Sequence, residues 1–111
     1  MLIKVVYSES FIRAARKLQK RYPHIEADAE AFADQLETGD LPGDRVKGLS
    51  QRVYKARVPN TDARSGKSGG YRVIYYLETV DNRVLITIYS KSDQSDIPVT
   101  ELRRMLQEHE Q

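Results

Sequence analysis

The chain has 111 residues, of which 40% are hydrophobic and 31% are charged, and its formal net charge is +2. These values indicate a single soluble globular domain, residues 1–111, that buries one modest core. No apolar run is long enough to cross a bilayer, and the absence of cysteine excludes disulfides and thiolate metal sites. Because the first residues show no signal-peptide pattern, we expect a cytoplasmic protein with no membrane partner.

The first half of the chain predicts one strand followed by two helices. Residues 2–7 carry two valines and favour a strand, after which Ser8 offers an N-cap oxygen. Apolar residues at helical spacing then predict a helix that Pro23 ends. A second helix is predicted over residues 24–36, with Gly39 as its stop. The two helices are therefore expected to form a hairpin.

The second half predicts strands and a closing helix. Three strands are predicted, at residues 51–58, 71–79 and 83–91. The polar, glycine-rich segment 59–70 predicts a loop, whereas Asp81 and Asn82 predict a tight hairpin turn. A final helix is expected to begin near Ile97 or Pro98. The order β-α-α-β-β-β-α predicts an α+β fold, an antiparallel sheet of about four strands with an N-terminal helical hairpin and a C-terminal helix.

Charge is distributed unevenly along the chain. Carboxylates crowd residues 26–44, whereas lysine and arginine dominate residues 45–72, where Asp62 is the one acidic residue. A basic face on a nearly neutral protein favours an anionic partner. The alternative is a solvated surface whose charges pair locally.

Strand alternation groups three of these cations. Lys55 and Arg57 are two residues apart in one predicted strand and so share a face, and Arg72 begins the next strand. We expect the three to form one positive patch beside tyrosines. Such a patch suits a phosphate backbone and the faces of nucleic-acid bases.

Two other features of the sequence bear on nucleotide binding and on acid–base or metal chemistry. The loop 66–68, Gly-Lys-Ser, lacks the spacing of a nucleotide-binding phosphate loop, because Thr61 stands where the first glycine belongs and a strand follows. The loop either clamps RNA phosphate through Lys67 or is a simple hairpin loop. His24 and His109 lie far apart in sequence and predict neither an acid–base pair nor a metal site, so we expect no metal and no cofactor.

The central part of the chain resembles a known family. Residues 47–96 resemble the RelE/ParE/HigB toxins of bacterial type II toxin–antitoxin systems, and they are most similar to the HigB and RelE branch. The resemblance rests on the stretches KGL at 47–49, YKARV at 54–58, GKSGGYRVIYY at 66–76 and IYSKSD at 88–93. The order of predicted elements also matches the family, so the resemblance implies a RelE-like fold.

The resemblance also implies an activity. Such proteins are ribosome-dependent mRNA endoribonucleases (mRNA interferases) that drive the ribose 2′-hydroxyl onto the adjacent phosphate without a metal. It implies that Arg72 grips the scissile phosphate, that Lys55 and Arg57 stabilise charge, with Lys55 as proton acceptor, and that Lys91 assists the leaving group. Further RNA contacts are expected from Lys47, Arg52, Lys67 and Tyr76. The implied partners are a cognate antitoxin protein, the ribosome and mRNA.

One departure from the family leaves alternatives open. Several RelE members carry a functional tyrosine at the start of the last helix, whereas residues 96–99 here read Asp-Ile-Pro-Val. The proton donor is therefore unassigned. The alternatives are a ParE-like, non-nucleolytic gyrase inhibitor and a degenerate toxin that only binds its antitoxin. Retention of several basic residues favours cleavage.

Overall fold

A computed structural model describes residues 2–63, 69–94 and 96–111. Its elements are β1 (Lys4–Tyr7), α1 (Glu9–Gln19), α2 (Ile25–Glu37), β2 (Asp44–Arg45), β3 (Arg52–Val58), β4 (Tyr71–Leu77), β5 (Asn82–Ser90) and α3 (Val99–Glu110). The strands of this described part form one sheet in the order β1-β5-β4-β3-β2. The predicted α+β fold is confirmed, with the helical hairpin first and the single helix last.

The sheet differs from the prediction in two respects. It is mixed rather than antiparallel, because β1 runs parallel to β5, with Val5 opposite Arg83. A parallel pair needs a long connection, and the helical hairpin and three intervening strands supply one. The described residues also include a fifth strand, β2, whose two residues pair with β3. A strand so short leaves no periodicity in the sequence.

Helices cover the two faces of the sheet unequally. The hairpin of α1 and α2 packs on one face, and buried residues of this cluster include Phe11, Phe32, Leu36, Val73, Tyr75 and Leu85. The single helix α3 packs on the other face through Leu102 and Leu106, against Val53, Ile74 and Ile86. Within the described residues no helix has both the length and the apolar character needed to span a membrane.

The predicted cap of the first helix is confirmed. Ser8 precedes α1, and its Oγ accepts a hydrogen bond from the Phe11 backbone N–H at 3.2 Å. The same hydroxyl lies 3.1 Å from the Ile86 carbonyl oxygen, to which it donates. Ser8 therefore satisfies a free N–H of the helix and fixes the start of α1 against β5.

Two carboxylates tie the chain after β3 to α2. Asp28 is only 7% exposed and accepts hydrogen bonds from the Thr61 backbone N–H and hydroxyl, both at 3.0 Å. Asp62 accepts from the His24 backbone N–H at 2.7 Å, and its other oxygen lies 2.6 Å from His24 Nδ1. The chain that leaves β3 is thereby anchored to the N-terminal end of α2.

The His24–Asp62 pair makes the stability of the fold depend on pH. Hydrogen bonding to Asp62 raises the pKa of His24 above 6.5, so its contribution is complete below pH 6.5 and is lost as pH rises through the raised value. The same contact lowers the pKa of Asp62 below 3.8, so that contribution is lost only as pH falls through the lowered value. The pair therefore contributes fully to the stability of the fold between pH 3.8 and pH 6.5, the ordinary pKa values of the two groups.

A pH-dependent loss of stability is expected for His24→Gln. Its cost in free energy of unfolding should be larger at about pH 5.5 than at about pH 9, because only the lower pH populates the imidazolium. Urea unfolding of both proteins at the two pH values measures this difference. Asp62→Asn should show the same trend, and an equal cost at both pH values would contradict it.

Candidate functional site

Three cations lie on the sheet face that carries α3. Lys55 and Arg57 alternate along β3 with Ala56, which is buried under the helical hairpin on the opposite face. The strand register places Arg57 directly opposite Arg72 of β4. The predicted common face is therefore confirmed, and we call these three residues (Lys55, Arg57 and Arg72) the cationic face. Like charges directly opposite one another destabilise a sheet, so folding alone gives no reason for this pair.

Arg72 is held by backbone carbonyls rather than by an acid. Its Nη1 donates to the carbonyl oxygens of Gly69 at 2.8 Å and Tyr71 at 3.3 Å. Among the described residues no carboxylate forms an ion pair with Arg72 or with Arg57, which is exposed. The guanidinium of Arg72 is thus oriented while its charge stays uncompensated.

Gly70 determines how β4 begins. Its φ is +61°, and a Cβ at this position would lie 2.3 Å from the carbonyl oxygen of Val58. The left-handed conformation and the close approach both require glycine. The backbone can therefore turn at Gly70 into β4, two residues before Arg72.

An acidic residue and a tyrosine complete the cluster around Lys55. Lys55 Nζ lies 3.3 Å from Asp96 Oδ1 and 3.4 Å from Oδ2. Tyr89, on β5 and opposite Arg72 in the register, donates its hydroxyl to the same Asp96 Oδ1 at 3.4 Å. The side chain of Asp96 is 63% exposed. An ammonium and a hydroxyl therefore converge on one solvent-facing oxygen beside the cationic face.

The environment sets the protonation states of this cluster. Burial of the ring, followed by the nearby Asp96 carboxylate, raises the pKa of Tyr89 to about 12. For Asp96, partial burial acts to raise the pKa, but the Ile97 backbone N–H and the Lys55 ammonium outweigh it and lower the pKa. At neutral pH Tyr89 therefore carries its proton and Asp96 is ionised.

A groove of ≈ 330 Å³ opens beside this cluster. Lys47, Lys55 and Asp96 line it, together with Asp44, which is the register partner of Lys55. The exposed Lys47 therefore reaches the same groove as Lys55, as expected of two residues that contact one ligand. The arrangement as a whole is suited to hold an extended anion on the open part of the sheet.

Comparison with known proteins agrees with this geometry. The family model for the RelE toxin of the RelE / RelB toxin-antitoxin system matches residues 3–109. The chain belongs to the RelE toxin family. The search of curated proteins found no match to the chain. As a RelE-family toxin it has a cognate antitoxin as a partner, in agreement with the sequence prediction.

The structure does not bring every predicted residue of this RelE-family toxin to the cationic face. Arg52 lies on the opposite face of β3, where its Nη2 donates to the Tyr54 hydroxyl at 3.0 Å. Lys91 is half-buried after β5, and its backbone N–H donates to the Gly70 carbonyl at 3.1 Å, which places it near the start of β4. Lys67 lies outside the described residues.

The prediction that Tyr76 contacts RNA is wrong. Tyr76 is 1% exposed and belongs to the cluster that packs under α3. Its ring meets His109 edge to face at 6.3 Å, and its hydroxyl lies 3.4 Å from Glu78 Oε2. Tyr76 lies on the same face as Ile74, where the covering helix leaves no ring surface on which a base could stack.

Sequence reasoning missed Tyr89 and Asp96 as site residues. Strict alternation groups Tyr89 with Leu85, which faces the helical hairpin. A register shift between Ile74 and Tyr75 leaves Ile86 without a partner and turns Tyr89 to the cationic face. No pattern in the sequence predicts that bulge. Asp96 lies before α3, where only the fold brings it to Lys55.

Proposed function

We propose that this RelE-family toxin is a ribosome-dependent mRNA endoribonuclease that acts in the cytoplasm. It cleaves by attack of a ribose 2′-hydroxyl on the adjacent phosphate, without a metal or cofactor. The observation that carries the proposal is the opposition of Arg57 and Arg72 on one open face, without a carboxylate partner among the described residues. An RNA phosphate is a ligand that makes such a pair favourable.

The cationic face supplies what the reaction needs most, positive charge at the phosphorus. The non-bridging oxygens carry one negative charge and gain a second as the 2′-oxygen attacks, and preorganised donors stabilise both. Arg72 is suited to grip these oxygens, because its planar guanidinium presents paired donors. Arg57 supplies a second guanidinium, and we expect Lys91, near the start of β4, to add positive charge at the leaving group.

The contact of Lys55 with Asp96 changes the role expected of Lys55. Lys55 pairs with a carboxylate at 3.3 Å as an ammonium group, which donates hydrogens and has no acceptor. Lys55 is therefore better suited as a fixed positive charge than as a proton acceptor. Lys47 extends this charge along the groove and contacts the RNA backbone on one side of the cut.

The cationic face also explains how the antitoxin inhibits cleavage. The antitoxin lays a helix or strand that bears carboxylates across Arg57 and Arg72 and so occupies the position of the RNA phosphate. The same residues then serve inhibition and catalysis.

Mapping of transcript ends tests the proposed function. We expect new 5′ ends inside translated reading frames after induction in bacteria, and the same ends when purified toxin acts on mRNA in programmed ribosomes but not on free mRNA. These ends should carry a 5′-hydroxyl, so that they ligate only after phosphorylation by a kinase. Growth arrest with intact transcripts and inhibited DNA supercoiling would instead identify a gyrase inhibitor. Unimpaired growth, with the antitoxin complex intact, would identify a degenerate toxin.

A further inference from the structure

The cationic face lacks a proton acceptor and a proton donor. Arginine does not deprotonate at physiological pH, and the Lys55 ammonium, which pairs with Asp96, donates hydrogens but has no acceptor. The two histidines lie elsewhere, His24 against Asp62 and His109 against Glu78. The attack of a 2′-hydroxyl nevertheless requires that one proton leaves the nucleophile and that another reaches the departing 5′-oxygen.

We propose that Asp96 and Tyr89 are the proton-transfer pair of the site, with Asp96 as acceptor and Tyr89 as donor. This inference rests on the proposed endoribonuclease function. Both groups are adjacent to the cations that hold the phosphate: Asp96 contacts Lys55, and Tyr89 lies opposite Arg72. Both are therefore catalytic residues that act on the reacting oxygens.

The contacts of Asp96 fix the orientation of its carboxylate. Lys55 reaches both oxygens, and the Ile97 backbone N–H donates to Oδ1 at 3.0 Å. Tyr89 also donates to Oδ1, so among the described residues Oδ1 has three partners and Oδ2 has only Lys55, and the side chain is largely exposed. Oδ2 is thus the oxygen available to a 2′-hydroxyl that enters from solvent.

The position of Tyr89 suits a donor. Its residue is only 4% exposed, so the ring is locked by packing, while its hydroxyl reaches the exposed Asp96. Because burial and Asp96 keep the phenol protonated, the proton is available when the 5′-oxygen departs. The described titratable and charged groups that face Asp96 from neighbouring elements or line its groove are Lys55, Tyr89, Asp44, Arg45 and Lys47.

The proton balance closes within this pair. The 2′-hydroxyl proton passes to Asp96 as the 2′-oxygen bonds to phosphorus, and the bond from phosphorus to the 5′-oxygen breaks. The 5′-oxygen takes the proton of Tyr89, which leaves a phenolate beside a protonated carboxyl. After the products leave, the exposed Asp96 carboxyl loses its proton to solvent and the Tyr89 phenolate takes one up from solvent, which restores both groups. The products are a 2′,3′-cyclic phosphate and a 5′-hydroxyl.

Asp96→Asn tests the acceptor. The single-turnover cleavage rate on programmed ribosomes should fall by about 10²-fold or more, the usual contribution of a positioned acid or base. Binding of the ribosome–mRNA complex should stay equal or tighten, because a negative charge beside Lys55 is removed. A purely structural role would weaken binding instead. Asp93→Asn is the matched control, since it removes a carboxylate three residues away that, within the described part of the chain, forms an ion pair only with the exposed Arg21, and its rate should not change.

Tyr89→Phe tests the donor by the chemistry of the leaving group. On ordinary mRNA the rate should fall by about 10²-fold. On a short mRNA whose scissile 5′-oxygen is replaced by sulfur, the variant should come within about tenfold of the wild type, because a thiolate leaves without a proton. An equal deficit on both substrates would overturn the donor role. Faster cleavage by Asp96→Asn would overturn the acceptor role and identify Asp96 as a group that blocks Lys55.

The wild-type protein separates this inference from the proposed function. If the wild type cuts translated mRNA and both variants cut it equally fast, the pair is refuted and the endoribonuclease stands. If the wild type cuts no translated mRNA, both proposals fall. Thermal unfolding and antitoxin binding of each variant show whether the fold is retained.

Discussion

Replacement of Arg72 by alanine is expected to lower the rate of mRNA cleavage by about 10³-fold, the magnitude found when a donor to a developing charge is removed. Arg72 opposes Arg57 and is oriented by two backbone carbonyls, so its guanidinium is preorganised at the centre of the cationic face. Arg72→Lys should recover only part of the activity, because an ammonium cannot bind two phosphate oxygens in parallel. Single-turnover cleavage on programmed ribosomes measures both variants.

Arg52→Ala is the matched control for this prediction. Arg52 is an arginine of the neighbouring strand β3, but it lies on the opposite face and contacts Tyr54. Its removal should change the cleavage rate less than about threefold, or less than 0.7 kcal/mol of activation free energy. If Arg52→Ala and Arg72→Ala were equally damaging, the assignment of the active face would be wrong.

Gly70→Ala is expected to lower the free energy of unfolding by about 3 kcal/mol, a large part of the stability of a small domain. Two costs add: a left-handed conformation at φ +61°, and a methyl group 2.3 Å from the carbonyl oxygen of Val58. Because the backbone must shift at the residue that precedes Tyr71 and Arg72, cleavage should also fall in the fraction that stays folded. Urea unfolding gives the first quantity and single-turnover cleavage the second.

Gly69→Ala provides the control one residue away. A Cβ at Gly69 meets no atom within 4 Å, and the residue has no positive φ. We expect a change within about 0.5 kcal/mol, as for other surface substitutions. A loss as large as that of Gly70→Ala would show that the whole segment, rather than the approach to Val58, determines stability.

Local sequence signals were sufficient to predict most helices and strands but not how all of the strands pair. The serine cap of α1 and the helical spacing of α2 each act within a few residues, and the structure has the corresponding elements. The predicted hairpin of β4 and β5 is also present, but its turn spans residues 78–81, and Asn82 already belongs to β5. The parallel pairing of β1 with β5 was missed, since strand direction depends on the path of the distant chain. The two-residue strand β2 exists only because it pairs with β3.

The candidate site could likewise be predicted only in part, where the strands are regular. Lys55, Arg57 and Arg72 could be placed on one face because β3 and the first half of β4 are regular. Tyr89 could not, because the bulge that turns it is a property of the paired strands. Tyr76 was assigned to RNA because nothing in its own strand shows that α3 covers it.

The Arg57–Arg72 opposition has a thermodynamic consequence for the whole toxin. Two arginines opposite one another in the sheet repel one another until a polyanion binds beside both. On the proposed function, we expect antitoxin and message to compete for the same electrostatic relief, and each to protect the folded toxin against heat when it binds. Mutual exclusion of inhibitor and substrate would then follow from a charge that can be neutralised only once, and the toxin without either ligand would be in its least stable state.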